Sequence, residues 1–460
     1  MDIRTDPGAT EDEAARFLAD NSDIVGLDVL LPDGNGVMRG KRIPRDGIDK
    51  IYRDGVRFPG SLYALDITGA DVVEAGLVWE RGDADFIGWP VPGSLKRAPW
   101  HSRALGQVLL SMYDESGTPF FLDPRHVLKR VLDRYAADGL TPVVAIELEF
   151  YLTDRELGSD GRPQPPRSPH TSRRESTVQP LIMTSLDDFE SFFARVEQAT
   201  HAQDIPAEAA IAEAGPGQYE INLQYNANAM AAADQGVLLK HLVKGVAASC
   251  GFEATFMAKP YAEESGNGLH IHMSLLDRAG RNVFDDGTAR GSDAMRHAIG
   301  GLQATTGEAL AICAPNANSY RRFQEGSYAP ISTAWAYNNR TTGLRIPSGG
   351  GAARRIEHRF AGADANIYLV TAAMLAGAHH GIVNKVQSDE PTDGNAYANP
   401  RAMLPTNWND AIRAFDVASV LPDYLGADFC RVFSLGRKAE RRKFRSVVSP
   451  LEYEWYLRTV

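Results

Sequence analysis

Cysteine and long apolar runs are scarce in this 460-residue chain. Its three cysteines, Cys250, Cys313 and Cys430, are odd in number and far apart, so they offer neither a metal-binding spacing nor a disulfide framework. We therefore expect a protein of the reducing cytoplasm. No run of about 18 apolar residues is present, so no membrane span is expected. Residues 1–13 are polar and acidic and do not resemble a signal peptide.

A basic charge balance and the common nucleotide-binding loops are also missing. The formal net charge is -11 at pH 7, which argues against a nucleic-acid partner. No GxxxxGK[ST] sequence occurs, and the glycines of GNGVMRG at 34–40 have the wrong spacing for a dinucleotide fingerprint. Any phosphate site must therefore be built without either of these loops.

The length indicates two domains, and the composition of 43% hydrophobic and 23% charged residues is ordinary for a globular enzyme. Residues 24–44 predict a hairpin, because two strand-like runs flank the turn sequence PDGNG. Short strand-like pieces follow, which indicates a small, mostly β N-terminal domain over residues 1–115. A helix at about 124–138 opens a second domain over residues 116–460, in which strands and helices alternate.

Hydrophobic periodicity predicts further helices over residues 11–20, 185–203, 229–249 and 365–386. The pair His379–His380 in the last of these helices is interpreted as a packing feature or as helix-end chemistry. Residues 155–176 and 387–404 are predicted to be loops, because the first is dense in Pro, Arg and Ser and the second is acidic and contains Pro.

Four strand-like segments share a pattern in which apolar residues alternate with charged, imidazole or amide residues: IELEFY, QYEINLQY, LHIHMSL and RIEHRF. Successive side chains of a strand point to opposite faces, so each set of polar residues lines one surface. A sheet with one face in water explains any single strand. However, solvent faces usually mix Lys, Thr, Ser and Gln, whereas these faces are rich in Glu, His and Arg. The pattern favours one shared site.

Convergence of these faces would bring five carboxylates together: Glu147, Glu149, Glu213, Glu220 and Glu357. Like charges at that distance cannot all ionise unless cations neutralise them. Oxygen-rich sites with one imidazole, here His270, suit Mg²⁺ or Mn²⁺ better than Zn²⁺, and two ions match this number of ligands. The nearby arginines require anionic partners such as phosphates and a substrate carboxylate: Arg322, Arg340, Arg345, Arg355 and Arg359. Metals and arginines around phosphate are typical of phosphoryl transfer.

With these residues in place, the chain resembles the prokaryotic type I glutamine synthetases along nearly its whole length. The segments that carry the resemblance are LPDGNGVMRGKRIP, IELEFY, EAGPGQYEINL, TFMAKP, GNGLHIHMSL, NSYRRF, NNRTTGLRIP, RRIEHRF and EYEWYL. The resemblance implies an α+β fold. It combines a small β-grasp-like N-terminal domain with a catalytic domain built on a curved antiparallel sheet with flanking helices. It also implies a homo-oligomer, a dodecamer of two stacked hexameric rings, with sites shared between neighbouring subunits.

The resemblance also implies roles for individual residues. The metal ligands are Glu149, Glu213 and Glu220 for one ion, and Glu147, His270 and Glu357 for the other. Glutamate is held by Arg322, Arg359 and the backbone at Gly266, close to the metal ligands Glu149 and His270. ATP contacts fall on Tyr225, His272, Ser274, Arg345 and Arg355. Arg340 and Arg345 correspond to the arginines that stabilise the transferring phosphoryl group, and Tyr328 lies on the catalytic flap.

The chain departs from ammonia-using members of the family where ammonium binds. Pro59 of FPGSL replaces the Asp of FDGSS, and Tyr328 of GSYAP replaces the Glu of GYEAP. A charged hydrogen bond contributes about 1.5–3 kcal/mol, so losing two carboxylates should weaken ammonium capture severely. Ser265 replaces an Asn beside the glutamate site, and Ala352 replaces a Lys on the nucleotide side.

The segments FPGSLYALDITG, GSYAP and RRFQEG resemble the γ-glutamylputrescine synthetases more than the ammonia-using enzymes. The expected activity is an ATP-dependent ligation of the γ-carboxyl of L-glutamate to an amine, putrescine or another polyamine, through γ-glutamyl phosphate. The alternatives are ammonia, another monoamine (ethanolamine, isopropylamine or aniline), a kinase that stops at the phosphorylated product, and a non-catalytic homologue.

Two residues near the expected site have ambiguous roles. Glu325 is a weak candidate for the base that deprotonates the amine, and a solvated loop charge is the simpler interpretation. Tyr397 in GNAYANP corresponds to a loop in which some family members carry a modified tyrosine within NLYDLP. Because the local match is poor, we expect an ordinary exposed loop tyrosine.

Overall fold

The structure is a computed structural model that describes residues 9–176, 179–398 and 400–460. Two β-sheets organise it, one of six strands near the N-terminus and one of eight strands in the rest of the chain. The first sheet contains β1 (Gly26–Pro32), β2 (Met38–Pro44), β3 (Val56–Pro59), β4 (Asp85–Pro90), β5 (Lys96–Arg97) and β6 (Leu105–Tyr113). Helices α1 (Glu11–Asp20) and α2 (Ile48–Asp54) belong to the same part of the chain.

The six-stranded sheet has the order β2-β1-β6-β4-β3, with β5 paired to β6. Its central pair β1–β6 is parallel, and the other pairs are antiparallel. The predicted hairpin is formed by β1 and β2. A carboxylate oxygen of Asp33 closes its turn by accepting hydrogen bonds from the backbone N–H groups of Asn35 (2.8 Å) and Val37 (3.0 Å), as Asp does in tight turns.

The eight-stranded sheet contains β7 (Thr141–Asp154), β8 (Ala207–Ala212), β9 (Gln218–Leu223), β10 (Phe252–Thr255), β11 (Gly268–Leu276), β12 (Trp335–Tyr337), β13 (Leu344–Ile346) and β14 (Ile356–Gly362). The order is β12-β13-β14-β11-β7-β9-β8, with β10 paired to β7. Among the described strand pairs of this sheet, β12 and β13 alone are parallel. The four segments with alternating charge therefore lie on four consecutive strands, β14, β11, β7 and β9, although they are far apart in the sequence.

Ten further helices pack around this sheet and at the C-terminal end of the described chain. They are α3 (Pro124–Ala137), α4 (Met183–Asp188), α5 (Glu190–Ala202), α6 (Ala229–Ser249), α7 (Asp293–Cys313), α8 (Ile367–Asn384), α9 (Trp408–Asp416), α10 (Leu421–Leu425), α11 (Ala427–Arg445) and α12 (Pro450–Tyr456). The side chains of Asn228 and Asn366 cap α6 and α8. The helix predicted over residues 185–203 is two helices, because the backbone at Phe189 leaves the helical conformation.

The mixed α and β architecture and the antiparallel-rich sheet with flanking helices confirm the expected fold class. One continuous buried apolar cluster contains residues of both sheets, for example Val29 of β1 and Ile146 of β7. Polar contacts also join them: the Asn366 side chain donates to the Asp33 carbonyl (2.9 Å). The domain limit at 115/116 stays a prediction; it falls between β6 and α3.

Two smaller expectations concern membrane spans and histidine packing. Among the described helices, none combines the length and apolar character needed to cross a bilayer. His379 is buried on α8, where its ring nitrogens lie 2.8 Å from the Tyr424 hydroxyl and 3.0 Å from a carboxylate oxygen of Asp138. These contacts support the interpretation of His379 as a packing residue.

Candidate active site

Strand register brings the alternating charged residues together. His270 on β11 lies opposite Glu147 on β7, and Glu149 on β7 lies opposite Glu220 on β9. Residues directly opposite each other in an antiparallel pair have their Cβ atoms about 4.5–5.5 Å apart. The charged face is not in bulk solvent, because Glu220 and His270 are each only 7% exposed and Glu357 is 1% exposed. The solvent-face explanation therefore fails for this sheet.

One group of acidic residues consists of Glu149, Glu213 and Glu220, each of which offers a carboxylate oxygen within 4.8 Å of the others. Burial, and then the nearby Glu149 carboxylate, raise the pKa of Glu220 to about 9 and that of Glu213 to about 7. One carboxylate oxygen of Glu149 accepts a hydrogen bond from the backbone N–H of Gly268 (2.6 Å). This group has an excess of negative charge.

A second group surrounds Glu147. One of its oxygens lies 2.8 Å from Nε2 of His272, and the other lies 3.4 Å from Nδ1 of His270. Burial alone would raise the pKa of Glu147, but hydrogen bonds with the two imidazoles outweigh it and hold this pKa far below its usual range. The same Nδ1 of His270 lies 4.0 Å from Glu357. Imidazole contacts therefore stabilise the ionised carboxylate of Glu147 in this half of the site.

Glu357 is neutralised by arginines on both sides. Arg345 lies 2.7 Å from one carboxylate oxygen, and Arg359 lies 2.5 Å from the other. Burial would raise the pKa of Glu357, but the charge of Arg359, followed by that of His270, lowers it to about 2. Both arginines keep a buried Nε atom without a hydrogen-bond partner among the described residues. They retain donors that a phosphate or carboxylate ligand could use.

The donor chemistry of this site fits divalent cations. The close groupings are Glu149–Glu213–Glu220, Glu147–Glu220–His270 and Glu147–His272–Glu357. The first is the set expected for one ion. The other two share Glu147: one adds Glu220 and His270, and the other adds Glu357 and His272, which the resemblance assigned to the nucleotide. The members of the second expected set, Glu147, His270 and Glu357, are therefore divided between these two groups. Carboxylates with one imidazole match Mg²⁺ or Mn²⁺, and the raised pKa values of Glu213 and Glu220 indicate a charge excess that a cation would relieve.

The remaining arginines take different positions. Arg322 is 5% exposed and donates to the backbone carbonyls of Phe360 (3.1 Å) and Arg359 (3.0 Å). Arg355 donates from Nε to Nδ1 of His272 (3.2 Å), which leaves Nε2 of His272 to donate to Glu147. Arg340 is exposed, and its charge acts on Glu213. Arg322, Arg340, Arg345, Arg355 and Arg359 thus surround the carboxylate groups.

Gly266 lies directly against Arg322. A Cβ atom at Gly266 would come within 2.8 Å of the Arg322 side chain and 2.6 Å of the Ala258 carbonyl, a spacing that no larger residue could adopt without displacing backbone. The Gly266 carbonyl accepts a hydrogen bond from the Gln218 side chain (3.1 Å), and the neighbouring Ser265 carbonyl accepts one from the Tyr151 hydroxyl (2.8 Å). The backbone expected to contact glutamate is therefore fixed beside an arginine.

Other predicted residues lie at the margins of the carboxylate groups. Tyr225 follows β9 and is 79% exposed, whereas Ser274 is half-buried on β11, on the same face as His270 and His272. Tyr328 is 63% exposed and has a φ of +58°, an unusual conformation for a side chain of this size. Pro59 ends β3 and pairs with Asp85 in the six-stranded sheet, apart from the sheet that carries the carboxylates.

Three further residues of interest lie outside the strands of the sheet. Glu325 is exposed, and so is Ala352, whose carbonyl accepts a hydrogen bond from Asn282 (3.1 Å). Tyr397 is half-buried, whereas an exposed side chain was expected. Its hydroxyl donates to the carbonyl of Ala329 (2.9 Å), one residue beyond Tyr328. Sequence reasoning missed this contact, and the only available signal was the tyrosine's place in a long acidic loop.

Comparison with known proteins extends this picture. The chain matches the family described as glutamine synthetase, catalytic domain, over residues 121–456. It is 41% identical over 446 residues to the γ-glutamylputrescine synthetase PuuA of Escherichia coli strain K12, which covers 97% of this chain and 94% of that protein. It is 32% identical over 457 residues to the γ-glutamylethanolamide synthetase GlnA4 of Streptomyces coelicolor. This alignment covers 99% of this chain and 96% of that protein. A solved GmaS/ADP complex superposes with a TM-score of 0.83 at 29% identity, covering 96% of this chain and 99% of that chain.

Proposed function

Because the chain belongs to the glutamine synthetase family of ATP-dependent ligases, we propose that it joins the γ-carboxyl of L-glutamate to an amine, with putrescine or another polyamine as the leading candidate. The observation that carries this proposal is the meeting of five carboxylates, two imidazoles and the surrounding arginines on one face of the eight-stranded sheet. This is a set of groups suited to phosphoryl transfer from ATP to a carboxylate.

In the proposed reaction, glutamate binds beside Gly266 with its carboxylate held by Arg322 and Arg359, since a guanidinium fork matches a carboxylate. Its γ-carboxylate attacks the γ-phosphorus of ATP, which yields γ-glutamyl phosphate and ADP. Arg340 and Arg345 stabilise the negative charge that develops on the transferring group. Bound Mg²⁺ or Mn²⁺, held by the carboxylates and His270, would neutralise phosphate charge. Tyr225, His272, Ser274 and Arg355 are proposed to hold the nucleotide.

The second step consumes the amine. Its nitrogen attacks the acyl carbon, the bond from that carbon to the phosphate oxygen breaks, and phosphate leaves with the electron pair. A protonated amine is not nucleophilic, so a group must accept its proton. The exposed carboxylate of Glu325 is a candidate for this role. Tyr328 is proposed to cover the amine with its ring.

The choice of a polyamine rests on two positions and one relative. Pro59 and Tyr328 place no negative charge where ammonia-using enzymes carry carboxylates, and the loss of charged hydrogen bonds disfavours ammonium. The relative that is 41% identical is named for putrescine, and one at 32% is named for ethanolamine. Because a further relative, 35% identical over 383 residues, is named for isopropylamine, monoamines such as ethanolamine and isopropylamine are the second candidates, and ammonia is the third.

Three further properties belong to the same proposal. The protein works in the cytoplasm, where its cysteines remain free.

It assembles as a dodecamer of two hexameric rings, so that the region of Pro59 in one subunit adjoins the site of another. The chain divides into domains near residue 115. Mass measurement of the native assembly tests the ring size, and limited proteolysis tests the boundary.

An amine panel tests the activity. Purified protein is incubated with ATP, glutamate, Mg²⁺ and one amine at a time (putrescine, ethanolamine, isopropylamine, aniline or ammonium), and phosphate and the γ-glutamyl amide are quantified. We expect the highest kcat/KM with putrescine. Faster turnover with ammonium would reject the amine assignment and leave the ligase. Phosphorylated product without any amine requirement would indicate a kinase, and hydroxylamine trapping of the acyl phosphate identifies that case.

A further inference from the structure

A loop of residues 392–397, called the strap here, contacts one of the segments that carry proposed catalytic residues. The backbone N–H of Ala396 in the strap donates to the hydroxyl of Thr341 (3.0 Å). Thr341 follows Arg340 directly in the chain. One side of the strap is therefore fixed to the segment whose arginine is proposed to stabilise the transferring phosphoryl group.

The strap also contacts the segment 324–330, called the flap here, which carries Tyr328. The hydroxyl of Tyr397 in the strap donates to the carbonyl of Ala329 (2.9 Å). On the neighbouring peptide, Arg359 donates to the carbonyl of Tyr328 (3.4 Å). Two adjacent carbonyls of the flap are thus held, one by a loop tyrosine and one by an arginine of the glutamate site.

The Tyr397 hydroxyl lies close to the proposed glutamate site as well. Burial raises the pKa of Tyr397, and the positive charges of Arg359 and Arg322 act in the opposite direction. The hydroxyl is therefore protonated at neutral pH and able to donate. A donor that touches the flap and stands within electrostatic range of both arginines is well placed to set the flap's position over bound glutamate.

The chain directly beyond the flap has an independent attachment. The backbone N–H of Leu404 donates to the carbonyl of Ile331 (3.0 Å), and the N–H of Thr333 donates to the carbonyl of Ala402 (3.0 Å). These bonds do not involve Tyr397. Loss of the Tyr397 hydroxyl should consequently release the part of the flap around Tyr328 without unfolding the remainder.

We propose that Tyr397 is a positioning residue that holds the flap closed over γ-glutamyl phosphate until the amine reacts. The inference rests on the proposed function. If the flap opens early, water attacks the acyl carbon in place of the amine, the same carbon–oxygen bond breaks, and the products are glutamate and phosphate. ATP is then consumed without amide formation. Tyr397 therefore governs how tightly ATP cleavage is coupled to ligation.

The substitution Tyr397→Phe removes only the hydroxyl. With ATP, glutamate and putrescine, or the amine that proves fastest in the panel, we measure the ratio of phosphate released to amide formed. In the wild type we expect a ratio near one. In the variant we expect uncoupled phosphate release to rise about fivefold and the KM for the amine to rise by a similar factor, as for one neutral hydrogen bond. The KM for ATP should not change.

A matched control is Tyr135→Phe. The hydroxyl of Tyr135 also donates to a backbone carbonyl, that of Leu375 (2.8 Å), but it does so inside the packing between α3 and α8. This control should lose a similar amount of stability and retain full coupling. If both variants uncouple equally, Tyr397 has only a structural role and the proposal is overturned.

Hydrogen exchange separates failure of this inference from failure of the proposed activity. The backbone amides of the flap should exchange faster in Tyr397→Phe than in the wild type or in Tyr135→Phe, whether or not turnover is detected. If the wild type shows no ligase turnover but the flap amides still exchange faster in Tyr397→Phe, the contact of Tyr397 with the flap is supported and the proposed activity is rejected. Unchanged exchange and unchanged coupling in an active enzyme would reject the role of Tyr397 alone.

Discussion

The two halves of the candidate site balance their negative charge in opposite ways. In one half, Glu213 and Glu220 face Glu149, and burial together with mutual repulsion raises their pKa values. In the other half, Glu147 and Glu357 have histidines and arginines as partners, and their pKa values are lowered. The difference indicates that the first half has an excess of negative charge that an added cation would relieve, whereas histidines and arginines of the protein stabilise the ionised carboxylates of the second half.

The largest expected effect is the loss of turnover when either half loses a proposed metal ligand. Glu149→Ala should reduce kcat/KM by at least about a thousandfold at millimolar Mg²⁺, because the phosphates lose a neutralising ion. Glu357→Ala should do the same. A steady-state assay of amide formation measures both. Near-normal activity in either variant would remove the metal argument.

The second prediction concerns stability without added metal, where the two halves should respond with opposite signs. Glu357→Gln leaves Arg345 and Arg359 as buried charges without a full partner, and it should lower the free energy of unfolding by about 3 kcal/mol. Glu220→Gln removes a repulsive carboxylate and should leave that free energy unchanged or raise it. Urea denaturation in the presence of a chelator compares this isosteric pair. Equal destabilisation by both variants would show that the halves do not differ.

Sequence alternation was sufficient to predict that Glu147 and Glu149 share one face of a strand, because the period of two is fixed by backbone geometry. The grouping of Glu149, Glu213 and Glu220 was expected from the family resemblance rather than from alternation, and the structure brings their carboxylates together. His272 was expected to contact the nucleotide, but in the structure it lies against Glu147. That contact depends on strand register, which the alternating pattern does not give. The contact of Tyr397 with Ala329 joins two irregular loops, and neither has a periodicity from which a partner could be inferred.

The third prediction concerns a carboxylate introduced beside the half of the site that contains Glu357 and its arginines. Tyr328 lies close to Arg359, which donates a hydrogen bond to the Tyr328 carbonyl. Tyr328→Glu should raise kcat/KM for ammonium by about tenfold, the lower end of the range for a charged hydrogen bond. Tyr328→Gln is the neutral control. If the two variants use ammonium equally, the charge of the flap does not set amine choice.

The smallest expected effect is a pH dependence of metal stabilisation. The pKa values of Glu213 and Glu220, about 7 and about 9, lie above the value of 4.5 expected in the unfolded chain. Protonation of this pair therefore favours the folded, metal-free protein below about pH 4.5, and that contribution is lost as pH rises towards 9. Mg²⁺ should raise Tm by several degrees more at pH 8.5 than at pH 6. A shift that is the same at both pH values, or the same dependence in Glu220→Gln, would contradict this explanation.

Direct counting of bound Mn²⁺ tests the central claim, that carboxylates and imidazoles from distant strands form one divalent-cation centre. Titration followed by electron paramagnetic resonance of free Mn²⁺ should find at least two ions per wild-type chain. In Glu220→Gln, the affinity for at least one of them should fall by tenfold or more, in keeping with the loss of one charged ligand of about 1.5 kcal/mol or above. No tight binding by the wild type, or unchanged binding by this variant, would contradict the account.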